Sequence, residues 1–372
     1  MRWAGRGLEY FLNGSSRLVT GHAGKITFAF ACLIAACVWI LPQLSLDQKF
    51  NEEVAAEHPI RFNQALLEQE FTGFLGPEIS VRPKNSSNFW SSAAMDRVRK
   101  LQDALRDHSD VLQVRTYLDY LPEGMPRSSA QEVLSTLRKD SPLKHQVQEV
   151  INPDGKWASV IVRTRDMGTK RAGEFKDWIE ETSIRHLGAD FEVQVVGQWW
   201  LAQRGMMNIL SDMLRSFITA CILIIPIMAL LLRSIRLFLV SLLPNLLPML
   251  AALAFMAAAG ISVRIGTAMI LAIALGIAID DTIHLMIHLR KHNAEGGDPK
   301  EIVWRTLAQT GKAILYTSVV LVIGFGSMLS NELMAIRDMG IVAAVTIIIA
   351  LIADLYLAPA LYLLSFGVLK KD

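Results

Sequence analysis

The 372-residue sequence is 52% hydrophobic with a positive mean hydropathy of +0.34, which excludes a single soluble domain and describes a polytopic membrane protein carrying a sizeable polar segment. The net charge of +2 says little by itself, but the basic residues gather at segment ends rather than in an aromatic-interleaved patch, which excludes nucleic-acid binding. All three cysteines, Cys32, Cys37 and Cys221, sit in apolar runs, so no disulfide framework holds the polar segment.

Residues 1–25 mix basic and aromatic side chains and read as a cytoplasmic, interfacial segment ahead of a first apolar run at 26–44. A cleaved signal peptide has a shorter basic region, a shorter apolar core and a small-x-small site, so this run reads as an uncleaved span. The polar segment, 45–211, then alternates two periods. Strand patterns fall at EISVRP (78–83), VLQVRTYL (111–118), WASVIVRT (157–164) and FEVQVVG (191–197), and helical patterns at 91–107, 128–149, 169–186 and from Trp199 onward. The economical fold is α+β of split βαβ (ferredoxin-like) type, with helices on one face of a mainly antiparallel sheet. Asn152-Pro153-Asp154-Gly155 marks a turn before the third strand, and Trp199-Trp200 reads as an aromatic anchor at the membrane boundary.

Five further runs, 213–232, 235–259, 264–289, 313–330 and 339–366, can each cross about 30 Å of hydrocarbon, giving six spans in a 1+5 order and a five-helix domain over 212–372. Thirteen lysines and arginines from Arg2 to Lys371 lie at one set of span ends, against only Arg264 and Arg337 on the opposite short connections. That asymmetry places both termini in the cytoplasm and 45–211 outside it. Pro244 and Pro248 flank Asn245 in LLPNLLPML, so this span reads as a broken helix whose kink serves either a transport path or packing. Asp298-Pro299 reads as a cap and first helical residue of a short helix at 298–310 lying on the cytoplasmic membrane surface. Thr317 and Ser318 then lie about 8–9 Å into the fifth span, near the depth of His284. Their hydroxyls could relay a proton, bond an aspartate or bond their own backbone. Asp354, alone and ahead of Pro359, reads as a structural hydrogen-bonding group.

The run GTAMILAIALGIAIDDTIHLMIHLR (266–290) holds the chemistry, because ionisable groups at membrane depth are expensive and need a reason. On a helical wheel Asp281 falls about 100° from Asp280, His284 about 40° and His288 about 80°, so the four share one stripe with Gly276 at its margin. Such a stripe should face protein or water rather than lipid. Two carboxylates this close in a low dielectric resist being ionised together, so the pair can accept and release a proton. Four ligands from one straight helix cannot surround a metal ion, so no metal centre is expected.

The 1+5 order, the outer α+β domain, PNLLP in the third span, GIAIDDTIHL in the fourth and GKAILYTS opening the fifth resemble one half of a transporter of the resistance-nodulation-division superfamily. GIAIDDTIHL is most similar to the hydrophobe/amphiphile exporter branch, which includes hopanoid and other lipid exporters and the related mycobacterial large membrane proteins. The resemblance implies proton-driven export from a bacterial inner membrane, with a periplasmic porter-like domain, protons as coupling ion and no cofactor. Asp280 and Asp281 match the family's relay carboxylates and Thr317 its relay hydroxyl, with Ser318 and His284 beside them. The cargo implied is a membrane lipid or other amphiphile, with a periplasmic or outer-membrane partner as a further expectation. Family members usually carry two such halves, and no internal repeat is found here, so a homodimer, a separately encoded second half or a longer parent chain is expected; the initial Met1 favours a complete chain. The alternative from a different class is a non-transporting lipid-binding or sensor subunit of the same fold.

Overall fold

A computed structural model of the protein describes residues 2–45, 49, 54–55, 57–73, 75–84, 89–122, 129–152 and 156–367. The chain divides into two compact units, Met1–Leu46 with Ile209–Asp372, and Asp47–Asn208. The first helix, α1 (Arg2–Ile40), incorporates most of the basic segment and bends at His22, whose backbone is non-helical (φ −137, ψ 30). The segment expected to lie apart from the first span is therefore continuous with it, and a short 3-10 turn, Leu41–Gln43, ends the helix.

The second unit opens with α2 (Pro59–Glu70), a helix not anticipated from the sequence, whose first turn is capped by His58 Nδ1 accepting from the Ile60 N–H at 3.2 Å. There follow β1 (Glu78–Pro83), α3 (Ser92–Arg106), β2 (Val111–Arg115), α4 (Ala130–Asp140), α5 (Lys144–Val150), β3 (Ala158–Thr164), α6 (Thr169–Leu187) and β4 (Phe191–Val196). The sheet order is β2-β3-β1-β4, with every neighbouring pair antiparallel. Each βαβ crossover thus skips one position, which a strand from the other crossover fills, the arrangement of split βαβ units. Alternation sets which face is covered: Ile79 and Val81 of β1 and Val160 and Val162 of β3 point into a core shared with Val98, Leu101 and Leu105 of α3 and Phe175 and Ile179 of α6.

Two expected elements are shorter than their patterns. β2 stops at Arg115 rather than running to 118, because Thr116 begins a 3-10 turn, Tyr117–Tyr120, in which Asp119 accepts from the Thr116 N–H at 2.7 Å. The single helix expected over 128–149 is two, because Pro142 forces Ser141 out of the helical region (φ −116, ψ 150). Trp199 is a core residue of this unit, 6% exposed, instead of an interfacial anchor. The turn expected at Asn152-Pro153-Asp154-Gly155 lies, in its last three residues, outside the described residues.

The remaining helices are α7 (Gln198–Leu232), α8 (Ile235–Ala259), α9 (Ile265–Glu295), α10 (Pro299–Gly326), α11 (Met334–Ile352) and α12 (Ala358–Gly367), the last two joined by a π-helical turn, Ala353–Leu357. Among the described residues six helical segments are long and apolar enough to cross a membrane, counting α11 through α12 as one. α8, α9 and α11 are the more covered of them, and α1, α7 and α10 keep most of their apolar surface outward, as lipid-facing helices do. Two expectations are corrected here. The helix at 298–310 is no separate surface helix: it forms the first turns of α10, which passes through Gly311 without a break. A Cβ on Gly311 would stand 2.8 Å from Leu12 Cδ2, so the leucine tip of α1 packs directly over this glycine of α10. Nor is 235–259 broken: α8 carries Pro244 and Pro248 inside one helix, and Asn245 Nδ2 donates to the Ser241 carbonyl at 2.8 Å. Pro244 and Pro248 lack the N–H groups that would reach the carbonyls of Val240 and Pro244, and packing against neighbouring helices tolerates those two missing donors.

Candidate functional site

The site is built on α9. Gly260 turns the chain out of α8 in the left-handed conformation (φ 68), and α9 restarts five residues later with the Arg264 N–H donating to Thr267 Oγ1 at 2.8 Å. One face of the helix, with Leu271, Ala274, Leu275, Ala278, Thr282, Leu285 and Leu289, is buried. It packs against α8, α10 and α11.

The expected stripe divides on this scaffold. Gly276, Asp280 and His284, four residues apart, lie on the face that the single chain leaves open, with the Asp280 side chain 74% and the His284 side chain 66% exposed. His284 Nε2 stands 3.6 Å from Asp280 Oδ1, close enough for an ion pair when the imidazole is protonated. A Cβ at Gly276 would meet nothing within 4 Å. Asp281 and His288 are half-buried at the edge of that face, and His288 Nδ1 is buried without a hydrogen-bond partner among the described residues.

The hydroxyls on α10 are arranged differently from one another. Thr317 is exposed and its Oγ1 donates to the carbonyls of Ala313 and Ile314 (3.1 and 2.9 Å), so in this state it is bonded to its own helix. Ser318 is buried, 2% exposed. Of the residues in the third span, Pro244, Asn245 and Pro248 are all buried in α8 as packing groups. Among the described residues no group of three or more His, Cys, Asp or Glu side chains is placed to hold a metal ion.

Two buried polar pairs were not read from the sequence as pairs. Thr282, one residue beyond the dyad and 1% exposed, donates its hydroxyl to Asp354 Oδ1 at 2.6 Å, and Asp354 is itself 1% exposed. Asp354 sits in the π-helical turn, whose extra residue per turn re-aims side chains and recurs at functional sites. Two residues on, Tyr356 shares a 2.9 Å hydroxyl contact with Ser15 of α1. At the opposite end of α9, Arg264 Nη1 pairs with Asp338 Oδ2 of α11 at 3.3 Å, both side chains 7% exposed. Asp354 had been singled out, but nothing local names Thr282 as its partner 72 positions away. Arg264 had been counted only as a charge in a connection.

The protein-family comparison matches residues 63–368 to the model of the MMPL family. The chain belongs to the MMPL family. The match takes in most of the second unit and α7 to α12, so it rests on both parts of the molecule. As an MMPL protein it is a multi-pass membrane transporter of hydrophobic substrates, not an enzyme, within the resistance-nodulation-division superfamily to which the sequence pointed. A comparison with curated proteins returns no match.

Proposed function

We propose that this MMPL protein exports a lipid or other amphiphile at the expense of the proton gradient, with Asp280 and Asp281 as the proton-carrying pair and His284, Thr317 and Ser318 as accessory relay groups. In this reading the protein lies in a bacterial inner membrane with both termini in the cytoplasm, and its outer unit serves as a periplasmic porter-like domain. Each proton moving inward contributes about 2.3 kcal/mol per 100 mV of potential. The affinity of GIAIDDTIHL to the hydrophobe/amphiphile exporter branch supports a lipid-like cargo.

The observation that carries the reading is the placement of Asp280 and His284 on the open face of α9, with Asp281 turned toward its covered side. A carboxylate and an imidazole facing hydrocarbon are too costly to persist, so the open face calls for protein or water against it. A second copy related by two-fold symmetry supplies that cover and sets two dyads face to face. Protonation then removes charge from the contact between the two copies of α9 and shifts their packing, which the outer units follow.

The test is transport of a fluorescent lipid in proteoliposomes under an imposed pH gradient. Asp280→Asn and Asp281→Asn are each expected to reduce gradient-driven transport to the level seen with an uncoupler, while eluting from gel filtration as the parent does. Full transport in both variants, or transport indifferent to the uncoupler, refutes the relay; the latter result would favour a lipid-binding or sensor subunit.

A further inference from the structure

A cavity of about 480 Å³ opens in the outer unit between α4, α5 and Trp90. That volume lies within the range of about 300–1,000 Å³ typical of small-molecule sites. Its lining is of two kinds. Leu134 and Ile151, 3% and 4% exposed, and the indole of Trp90 give it an apolar floor. Trp90 is held edge-on against Tyr117 with ring centroids 6.0 Å apart. The other part carries Arg138, Lys139 and Lys144, and among the described lining residues there is no Asp or Glu.

Three cations gathered at one opening repel each other, and none of their side chains has an ion pair or hydrogen bond to a described residue. Glu149, the acidic residue on α5, is turned to Arg115 instead. Arg138 and Lys139 stand in the last turn of α4, where a positive charge is favoured by the helix dipole. Lys144 is the first residue of α5, where it is disfavoured, so helix electrostatics does not account for it. Asn152 adds a directed donor: its Oδ1 already accepts from the N–H groups of Lys156 and Trp157 (2.9 and 3.1 Å), which leaves the amide NH2 for a ligand.

We propose that this cavity binds the anionic headgroup of an amphiphile, its phosphate or carboxylate oxygens held by Arg138, Lys139 and Lys144 and its first carbons lying on Trp90, Leu134 and Ile151. The inference rests on the reading that the protein handles amphiphiles, and it narrows that cargo to the anionic ones. An uncharged lipid leaves the three cations unsatisfied, and a free inorganic anion leaves the apolar floor uncovered.

The experiment is isothermal titration of the full chain in a neutral detergent, with no proton gradient, using dihexanoyl phosphatidic acid, dihexanoylglycerol and inorganic phosphate. Phosphatidic acid is expected to bind at least about tenfold more tightly than either of the others, since each charge-assisted contact is worth about that factor. The double variant R138Q/K144Q, altered only at side chains that reach solvent, is expected to lose at least tenfold in phosphatidic acid affinity while keeping the parent's Tm. The proposal is overturned by unchanged affinity in the double variant, by equal binding of dihexanoylglycerol, or by inorganic phosphate binding as tightly as the lipid. Asp280→Asn is expected to bind phosphatidic acid as the parent does. Failure of the relay and failure of this site are therefore read separately.

Discussion

A hydroxyl and a carboxyl buried together are worth little when satisfied and a great deal when parted. Thr282 and Asp354 form such a pair between α9 and the π-helical turn. Thr282→Val keeps the shape but leaves the Asp354 carboxyl without its donor, so a loss of about 1–3 kcal/mol is expected, read as a lower Tm in detergent. In a double-mutant cycle with Asp354→Ala the two changes should couple by more than about 0.5 kcal/mol, because each removes the same shared bond. The Arg264–Asp338 pair makes a larger demand. Asp338→Ala takes the carboxylate away from a guanidinium whose side chain is 7% exposed, and about 3–5 kcal/mol should be lost, seen as poor recovery of folded protein or a markedly lower Tm. Neither pair was legible beforehand. The sequence marks Asp354 as a buried carboxylate and leaves Asp338 just ahead of the last span, but the partner of each lies more than 70 positions away and is fixed only by how α9 meets α11 and the turn after it.

Elements were read with uneven success, and the failures share a cause. The span 235–259 coincides with α8, and three of four strand patterns match β1, β3 and β4 to within a residue, since hydrophobic period and length suffice where one face is plainly buried. The breaks went wrong in both directions. Pro244 and Pro248 were read as interrupting a helix that continues, because a packed neighbourhood tolerates the missing donors. Pro142 does end a helix that was read as continuous, because in a solvent-exposed segment nothing opposes the steric preference before proline. Close approach between helices is likewise invisible to pattern. Gly340 of α11 lies against the end of α10 such that a Cβ would stand 2.6 Å from the Phe325 carbonyl oxygen and 2.7 Å from Met328 Cβ. Backbone cannot yield as a side-chain tip does, so Gly340→Ala is expected to cost about 1–3 kcal/mol and lower the Tm, whereas Ala at Gly276, which has open space inside a helix, should not lower it.

At the scale of the whole molecule the open face of α9 is the feature that a single chain does not complete. If a second copy covers it, native mass spectrometry of gently solubilised protein should give a dimer, and a bulky charged change on that face, Gly276→Arg, should shift the spectrum to monomer while the outer unit stays folded. A monomer for the parent protein, reproducible across mild detergents, removes the two-copy arrangement and leaves a separately encoded second half or a longer parent chain as the source of cover. The dimer measurement is independent of transport, so it separates assembly from proton coupling.

Local chemistry determined much from sequence alone: six apolar runs long enough to span, a polar segment alternating strand and helix, and two adjacent carboxylates within an apolar run. These are properties of length, period and charge cost, which act within a few residues and need no partner. The tertiary structure decided which way each ionisable group faces. Asp280 and His284 went to the open side of α9, while Thr282 on the other side turned to Asp354. It also closed a cationic cavity from residues of α4, α5 and the chain around Trp90. Those outcomes depend on contacts between segments far apart in the chain, and packing settles them because only a finished core determines which buried polar groups find partners.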